Sequence, residues 1–195
     1  MSSVPESPTP FVRLSREVVV ENPWHRYCMD RYTQRDGSAG TYHYVDIAGS
    51  AATIPLFSDG TVVLVEGFRY LLDCWLLEFP IGGMQAGESA LSVAQRELEE
   101  EAGLVACDWH SIGSFAPYKG VSNEICHYFV ARDLEWTAQR LEPSEDIRVH
   151  RMPLGDARRR LLDARPADGQ SLAGLLFLDR WLACESGGAL DCELH

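Results

Sequence analysis

The stretch GGMQAGESALSVAQRELEEEAGL, from Gly82 to Leu104, is the most specific pattern in the chain. It reads G-x5-E-x7-R-E-U-x-E-E-x-G-U, where U is a bulky aliphatic residue. The spacing fixes seven glycine or charged positions: Gly82, Glu88, Arg96, Glu97, Glu100, Glu101 and Gly103. From average residue usage, chance would place these seven together in on the order of one window in 10⁸. The stretch is therefore a strong signal that chance does not explain.

The second half of the motif predicts a helix from about Ser89 to Ala102. Its buried stripe would consist of four apolar residues at helical spacing: Leu91, Ala94, Leu98 and Ala102. Gly103 follows directly, and glycine is the residue that most often adopts the left-handed conformation just beyond a helix. The pattern therefore predicts that the helix ends there.

The glutamates of this helix predict a metal site. Glu97 and Glu101 are one turn apart and share a flank, with Glu100 close beside them. Carboxylates this close repel one another, and a hard divalent cation such as Mg²⁺ would relieve the repulsion. Glu97 and Glu101 are the first candidate ligands, and Glu100 would hold another ion. A solvated acidic helix face is the alternative that charge runs usually indicate, but the motif register disfavours it.

This spacing resembles the Nudix box without a mismatch. The resemblance implies a hydrolase that uses Mg²⁺, with Mn²⁺ as a substitute, to cut a diphosphate linked to a nucleoside. It also implies that the backbone carbonyl of Ile81 faces the metal. Glu88 and Arg96 would form a structural salt bridge, so Glu88 is not counted as a ligand. Gly82 and Gly103 would shape the ends of the motif.

A longer region, roughly Ile54 to Leu182, resembles the ADP-ribose pyrophosphatase branch of that family. VLVEGFRY includes Arg69, which matches an arginine that contacts substrate in the branch. PYKGVSNEICHYFVA resembles its post-motif loop, with Glu124 at the acidic position. Lys119 stands where the branch usually has proline. It is a candidate contact for a phosphate or sugar acid, and the alternative is a solvent-facing lysine.

The general base is predicted outside the motif, as the resemblance implies for many Nudix enzymes. SEDIRVHRMPL resembles the acidic loop of the branch, which precedes a strand at Ile147–Met152. A loop position lets a carboxylate swing over bound substrate. Glu145 is the first candidate and Glu142 the second, with Glu100 as a further catalytic candidate. The alternative is that the loop residues are ordinary exposed acids.

The chain is predicted to contain a lead-in at residues 1–10, an N-terminal β-sheet subdomain at 11–48 and a Nudix domain at 49–195. The resemblance implies that the N-terminal sheet forms a homodimer. Asp59-Gly60 predicts a turn that pairs strands Ala51–Phe57 and Thr61–Gly67. Two helices are expected near the end, at Leu154–Leu162 and from Ser171 to about Cys184. The expected fold class is α/β (α+β), a Nudix α/β/α sandwich with a mixed sheet.

Composition excludes several classes of protein. The net charge of −12 disfavours long nucleic acids as partners, because their affinity depends on Lys and Arg. No apolar run is long enough to span a membrane. The N-terminus lacks the layout of a signal peptide. The six cysteines have no C-x-x-C pair, which predicts free thiols in a reducing cytoplasm.

The predicted function is a cytoplasmic, Mg²⁺-dependent diphosphatase acting on a small molecule. Its substrate would be ADP-ribose or a nucleotide sugar, and its products a nucleoside monophosphate and a sugar phosphate. One alternative is a diphosphatase for dinucleotides or oxidised nucleotides. A second alternative, from a different class, is a sensor that binds ADP-ribose without cutting it. Sensors of this kind usually lose a motif glutamate, and this chain keeps all three.

Overall fold

A computed structural model describes residues 10–187 of the 195-residue chain. The described residues form two compact units. One unit comprises the chain up to Ile47 together with the loop Tyr118–Glu124. The other contains Ala48–Pro117 and the chain from Ile125 onward. The predicted lead-in at residues 1–10 lies almost entirely outside the described residues.

The first unit is built on a three-stranded antiparallel sheet in the order β1-β2-β3. Its strands are β1 (Val12–Glu21), β2 (Arg26–Thr33) and β3 (Ala39–Asp46). The turn between β2 and β3 contains Gly37 at a φ of 85°, a left-handed conformation that suits glycine. The use of this sheet for dimerisation stays a prediction.

The loop Tyr118–Glu124 is held by hydrogen bonds to β3 and the residue after it. The amide of Val45 donates to the carbonyl of Val121 over 2.8 Å. The amide of Ile47 donates to Oδ1 of Asn123 over 2.9 Å. Because the loop is tied to the first unit, the candidate residues within it, Lys119 and Glu124, belong structurally to that unit.

The second unit contains two sheets. The first is a mixed sheet in the order β7-β4-β9-β8, in which β4 and β9 run parallel. Its strands are β4 (Ser50–Pro55), β7 (Ile81–Gly83), β8 (Leu104–Phe115) and β9 (Cys126–Trp136). The second is antiparallel in the order β10-β5-β6. Its strands are β5 (Thr61–Arg69), β6 (Cys74–Glu78) and β10 (Ile147–Pro153), and a short 3₁₀ turn, Tyr70–Leu72, joins β5 to β6.

Within residues 10–187, three α-helices pack on these sheets, as expected for the Nudix sandwich. They are α1 (Ala90–Ala102), α2 (Leu154–Asp163) and α3 (Gly169–Glu185). The apolar side of α1, with Val93 and Ala94, packs against Ala51 and Phe129 of the mixed sheet. The helices α2 and α3 contribute to a separate and larger apolar cluster. The predicted fold class, a mixed α/β sandwich, is therefore confirmed.

Two local predictions were wrong. The strands β4 and β5 do not pair along their length; they lie in different sheets, and the one bridge near the turn joins Val62 to Leu56, just beyond the end of β4. All six residues of β4 are buried, and a strand of that kind has neighbours on both sides. In α1, Leu91 is 37% exposed, and Val93 is fully buried in its place.

A third prediction, that the cysteines are free thiols, was wrong for one of them. Cys184 is disulfide-bonded. Cys28, Cys74, Cys107 and Cys126 are free thiols, as expected. The sixth cysteine, Cys192, lies outside the described residues. Within residues 10–187, no helix has the length and apolar character needed to cross a membrane.

Candidate active site

The ends of α1 fix the register of the motif glutamates. Ser89 caps the start, where its Oγ accepts a hydrogen bond from the amide of Ser92 over 3.1 Å. Gly103 ends the helix at a φ of 60°. Between these ends, Glu97 and Glu101 are buried on one flank, one turn apart. The helix therefore presents two carboxylates side by side in an environment with little water.

The strand β7 borders this pair of carboxylates. The amide of Ile81 donates to Oε2 of Glu101 over 3.0 Å. A Cβ atom at Gly82 would overlap the carboxyl group of Glu97. The absent side chain of Gly82 thus lets β7 approach Glu97, while the Ile81 amide binds Glu101. The role of the Ile81 carbonyl as a metal ligand stays a prediction.

Burial changes the protonation of these two carboxylates. Burial, together with the neighbouring charge of Glu97, raises the pKa of Glu101 to about 8. Burial also raises the pKa of Glu97, which the nearby Arg96 opposes. Two buried carboxylates that share so little compensating charge form a site at which a cation would be stabilised.

Arg96 supplies the nearest positive charge. Its Nη1 donates to Oε1 of Glu97 over 2.6 Å and to Oε2 of Glu100 over 3.1 Å. Its Nη2 lies 3.9 Å from Oε2 of Glu88, which is the pair expected from the motif. Glu88 in turn accepts a hydrogen bond from the amide of Gln85 over 2.7 Å, which closes the loop before α1. Arg96 therefore links the loop to the metal-site candidates.

Of the two loop acids, Glu145 lies within electrostatic reach of the motif. Its charge raises the pKa of both Glu97 and Glu101. Its Oε2 accepts a hydrogen bond from the amide of Glu142 over 2.8 Å, and its own amide donates to the Glu142 carbonyl over 2.9 Å. Glu142 is exposed, whereas Glu145 is half-buried. The geometry thus favours Glu145 over Glu142 as a group that acts at the motif.

Arg69 is engaged by an acid that the sequence reasoning did not single out. Its guanidinium forms a two-pronged ion pair with Glu78, in which Nε lies 2.6 Å from Oε1 and Nη2 contacts Oε2. Glu78 is buried, and burial raises its pKa despite the arginine. The charges of Glu101 and Asp168 also act on Arg69. The pair therefore places a fixed positive charge near the motif carboxylates.

A comparison with known protein families shows to which family the chain belongs. Residues 48–175, more than half of the chain, match the family model described as the NUDIX domain. The chain belongs to the Nudix family. The match contains the whole motif, the pair Arg69–Glu78 and the loop with Glu145.

Similar Nudix proteins carry related names. The chain is 32% identical to an ADP-ribose pyrophosphatase of Bacillus subtilis over 145 residues, which is 73% of this chain and 78% of the relative. It is 27% identical to an ADP-ribose pyrophosphatase of Mycobacterium tuberculosis over 150 residues, 75% of this chain and 72% of the relative. A crystal structure described as an ADP compounds hydrolase matches with a TM-score of 0.77 at 20% identity, covering 92% of this chain and 98% of that chain. The last likeness supports the fold.

Nudix hydrolases generally use divalent cations, and the residues of this site fit one. Glu97 and Glu101 offer buried oxygen donors of the type that hard cations prefer. The absent side chain of Gly82 leaves room for the Glu97 carboxylate. Within residues 10–187, no three acids, histidines or cysteines already converge as a finished metal site. In agreement with this, the carboxylates of Glu97 and Glu100 are hydrogen-bonded to the guanidinium of Arg96.

The remaining candidate residues, Lys119 and Glu124, lie on the loop that belongs to the first unit.

Two residues that contact the site were not predicted from the sequence. For Glu78 the sequence did contain an indication, since LLEFP places one acid inside an apolar strand, where a charge needs a partner. No comparable sign marked Gln139, whose side-chain amide donates to the backbone carbonyl of Glu101 over 2.6 Å.

Proposed function

We propose that the protein hydrolyses the diphosphate bond of ADP-ribose or another nucleotide sugar in an Mg²⁺-dependent reaction. The products are a nucleoside monophosphate and a sugar phosphate. One observation carries the proposal: the buried carboxylates of Glu97 and Glu101 lie one turn apart, bordered by Gly82, inside a complete Nudix motif. The names of the relatives, ADP-ribose pyrophosphatase among them, support this substrate class.

The proposed roles of the acids follow from their surroundings. Glu97, Glu101 and the Ile81 carbonyl would hold the principal cation, and Glu100 would hold another. A bound Mg²⁺ would supply positive charge against the diphosphate and would make a water more acidic. Glu145 takes a proton from the attacking water, because it is half-buried and its charge reaches both motif carboxylates. Glu142 supports the turn that presents Glu145.

Arg69 is the proposed diphosphate contact. Its guanidinium remains half-exposed while two of its nitrogens bind Glu78. This arrangement fixes the orientation of the side chain and leaves part of its donor edge for an anion. Glu78, at 4% exposure, is thus a support for Arg69 and not itself a substrate contact.

Lys119 and Glu124 are proposed as substrate contacts, with Lys119 meeting a phosphate or a sugar acid. Both lie on the loop that β3 holds through Val45 and Ile47. A lysine ammonium at this position is a point charge suited to a phosphate or a sugar acid. The alternative for Lys119 remains a solvent-facing residue.

The first unit is proposed to form a homodimer. Its β1 pairs with β2 on one side, and every residue of the strand is exposed. Five residues of β1 and the residue directly before it are large and apolar. They are Phe11, Val12, Leu14, Val18, Val19 and Val20. A strand this long and apolar is a surface that proteins usually cover. A second copy of the chain would cover it.

A cytoplasmic location also remains a proposal. Four free thiols among the described cysteines favour a reducing compartment, while the disulfide at Cys184 does not.

The function is tested by incubating the protein with Mg²⁺ and a panel of nucleotides in ¹⁸O water. The panel contains ADP-ribose, ADP- and GDP-sugars, a dinucleotide and an oxidised nucleoside triphosphate. The proposal expects a nucleoside monophosphate and a sugar phosphate, one of them carrying ¹⁸O. Preferred cleavage of the last two compounds would favour the alternative diphosphatase. ADP-ribose binding without turnover would favour the sensor.

A further inference from the structure

The C-terminal turn of α1 is covered by the segment Thr137–Arg140, which directly follows β9 and which we call the strap. The strap donates three hydrogen bonds to carbonyls at the end of the helix. They run from the Thr137 amide to Gly103 (2.8 Å), from the Gln139 side chain to Glu101 (2.6 Å), and from the Arg140 amide to Glu100 (3.0 Å). Helix ends leave such carbonyls without partners inside the helix. The strap therefore caps the helix that carries the motif glutamates.

Gly103 permits this close approach. A Cβ atom at this position would lie 2.8 Å from the Thr137 carbonyl oxygen and 3.1 Å from the Gln139 amide nitrogen. Both neighbours are backbone atoms, so a side chain would push the strap away from the helix. The last glycine of the motif thus has two functions: it ends α1, and it lets the strap contact the end of α1.

The strap also carries an ion pair to α1, in which Nη2 of Arg140 lies 2.7 Å from Oε2 of Glu99. The strap leads into the loop that carries Glu145, and four residues separate Arg140 from Glu145. Across a tight turn, the amide of Glu142 donates to the carboxylate of Glu145, and the amide of Glu145 donates to the carbonyl of Glu142. Beyond the turn, β10 begins at Ile147, paired with Gly67 of β5. The loop is therefore fixed at one end by the strap on α1 and at the other by the sheet.

We propose that the strap positions Glu145 with respect to Glu97 and Glu101, and that Gln139 is the positioning residue within it. This rests on the proposed function, in which Glu145 is the base. Because the strap binds the carbonyls of Glu100 and Glu101, any shift of the metal-binding turn is transmitted to the base loop. The three hydrogen bonds of the strap thus keep the base in register with the carboxylates that hold the cation, and that of Gln139 is the one donated by a side chain.

A purely structural role for Gln139 makes different predictions. If it only caps α1, its loss lowers the melting temperature and leaves the base loop and the rate intact. If it positions Glu145, its loss loosens the loop and lowers kcat. Misplacing a catalytic group by about 1 Å costs up to roughly 10²-fold in rate. The two roles are therefore separable by measurement.

The first experiment compares Gln139→Met with wild type in the full chain. Methionine keeps the length of the side chain and removes the donor. Hydrogen exchange by mass spectrometry should show faster exchange in a peptide covering residues 141–146, with α1 still protected. The control is Glu99→Gln, which removes the partly exposed ion pair between Glu99 and the Arg140 side chain and leaves all three hydrogen bonds of the strap in place. Unchanged exchange in the loop of Gln139→Met would overturn the proposal.

The second experiment uses kinetics with ADP-ribose and the double variant. Gln139→Met should lower kcat by about 10- to 100-fold, with KM and Mn²⁺ affinity unchanged. In a Glu145→Gln background the same change should have no further effect, because its target is already gone. Additive losses, or a loss of Mn²⁺ affinity, would overturn the positioning role.

The two experiments separate the proposal from the proposed function. An unchanged rate in Glu145→Gln alone would reject Glu145 as the base. Hydrogen exchange would then decide, without any activity, whether the strap holds the loop.

Discussion

Gly82 lacks a side chain at the point where Glu97 places its carboxyl group. A Cβ atom built on Gly82 would overlap the Cδ and Oε1 atoms of Glu97. The first glycine of the motif therefore leaves the space that the carboxyl group of the first helical glutamate fills, although the two residues are 15 positions apart in the sequence. The neighbouring Gly83 has nothing within 4 Å of the corresponding position.

Gly82→Ala should weaken cation binding. The added methyl group forces the Glu97 carboxylate into another rotamer, which moves a ligand but leaves the core of α1 in place. We expect an affinity loss of about 10-fold or more, since a displaced first ligand costs at least as much as a lost supporting contact. Titration with Mn²⁺ followed by electron paramagnetic resonance measures it. Gly83→Ala is the matched control, and equal affinities in the two variants would contradict the steric account.

The stability of the cation-free protein should fall as pH rises from about 5 to 8. The pKa of Glu101 is about 8 in the folded chain, above its ordinary value of 4.5. Between these values the folded chain keeps a proton that the unfolded chain releases. The stabilisation is therefore complete below about pH 4.5 and is lost as pH approaches 8. Thermal unfolding in the presence of a chelator measures this trend.

Glu101→Gln isolates this effect, because glutamine stays neutral throughout. The difference in melting temperature between the variant and wild type should shift in favour of the variant as pH rises. Saturating Mg²⁺ should stabilise wild type at pH 8 more than the variant. A difference that does not change with pH would show that Glu101 has an ordinary pKa.

Glu145→Gln should lower the hydrolysis rate by about 10²–10⁴-fold if Glu145 is the general base. Glutamine keeps the acceptor for the Glu142 amide, so the turn should remain. Glu142→Gln is the control, because Glu142 is exposed and its carboxylate has no part in the proposed proton transfer. Steady-state kinetics at several pH values test both variants. A larger loss in Glu142→Gln would transfer the role to Glu142.

The first unit should hold two copies of the chain together. Sedimentation of the wild type should give the mass of a dimer. Replacing Val18 and Val20 on β1 by lysine should shift it to a monomer, because charges on an edge strand oppose pairing. The same change at the exposed Leu176 of α3 is the control. A wild-type monomer with full activity would reject the dimer.

The sequence predicted the parts of the fold that local patterns control. The bounds of α1 followed from Ser89, the glutamate spacing and Gly103, and the structure places the helix at Ala90–Ala102. The buried stripe was wrong at Leu91 because Val93 points to the mixed sheet. Helical spacing alone does not tell which of two adjacent apolar residues faces the core.

Strand pairing was less predictable than strand position. A turn at Asp59-Gly60 usually joins paired strands. Here the completely buried β4 pairs with β9, some 75 residues further along, so the tertiary core overrides the local turn. Such long-range pairing leaves no mark in a single sequence.

The candidate site divides in the same way. The motif acids lie together because they share one helix, which spacing alone indicates. The contacts Arg69–Glu78 and Gln139–Glu101 depend on how strands and helix pack. The side chain of Gln139 donates to the backbone carbonyl of Glu101, a group that every residue carries. The residue types in the sequence therefore do not indicate this contact.

The central claim is that Glu97 and Glu101 hold a divalent cation against a diphosphate. The most direct test is anomalous diffraction from crystals soaked with Mn²⁺ and a non-hydrolysable ADP-ribose analogue. The account predicts an Mn²⁺ peak bonded to both carboxylates and to oxygens of the diphosphate. Peaks confined to other residues, with Glu97 still paired only to Arg96, would contradict it.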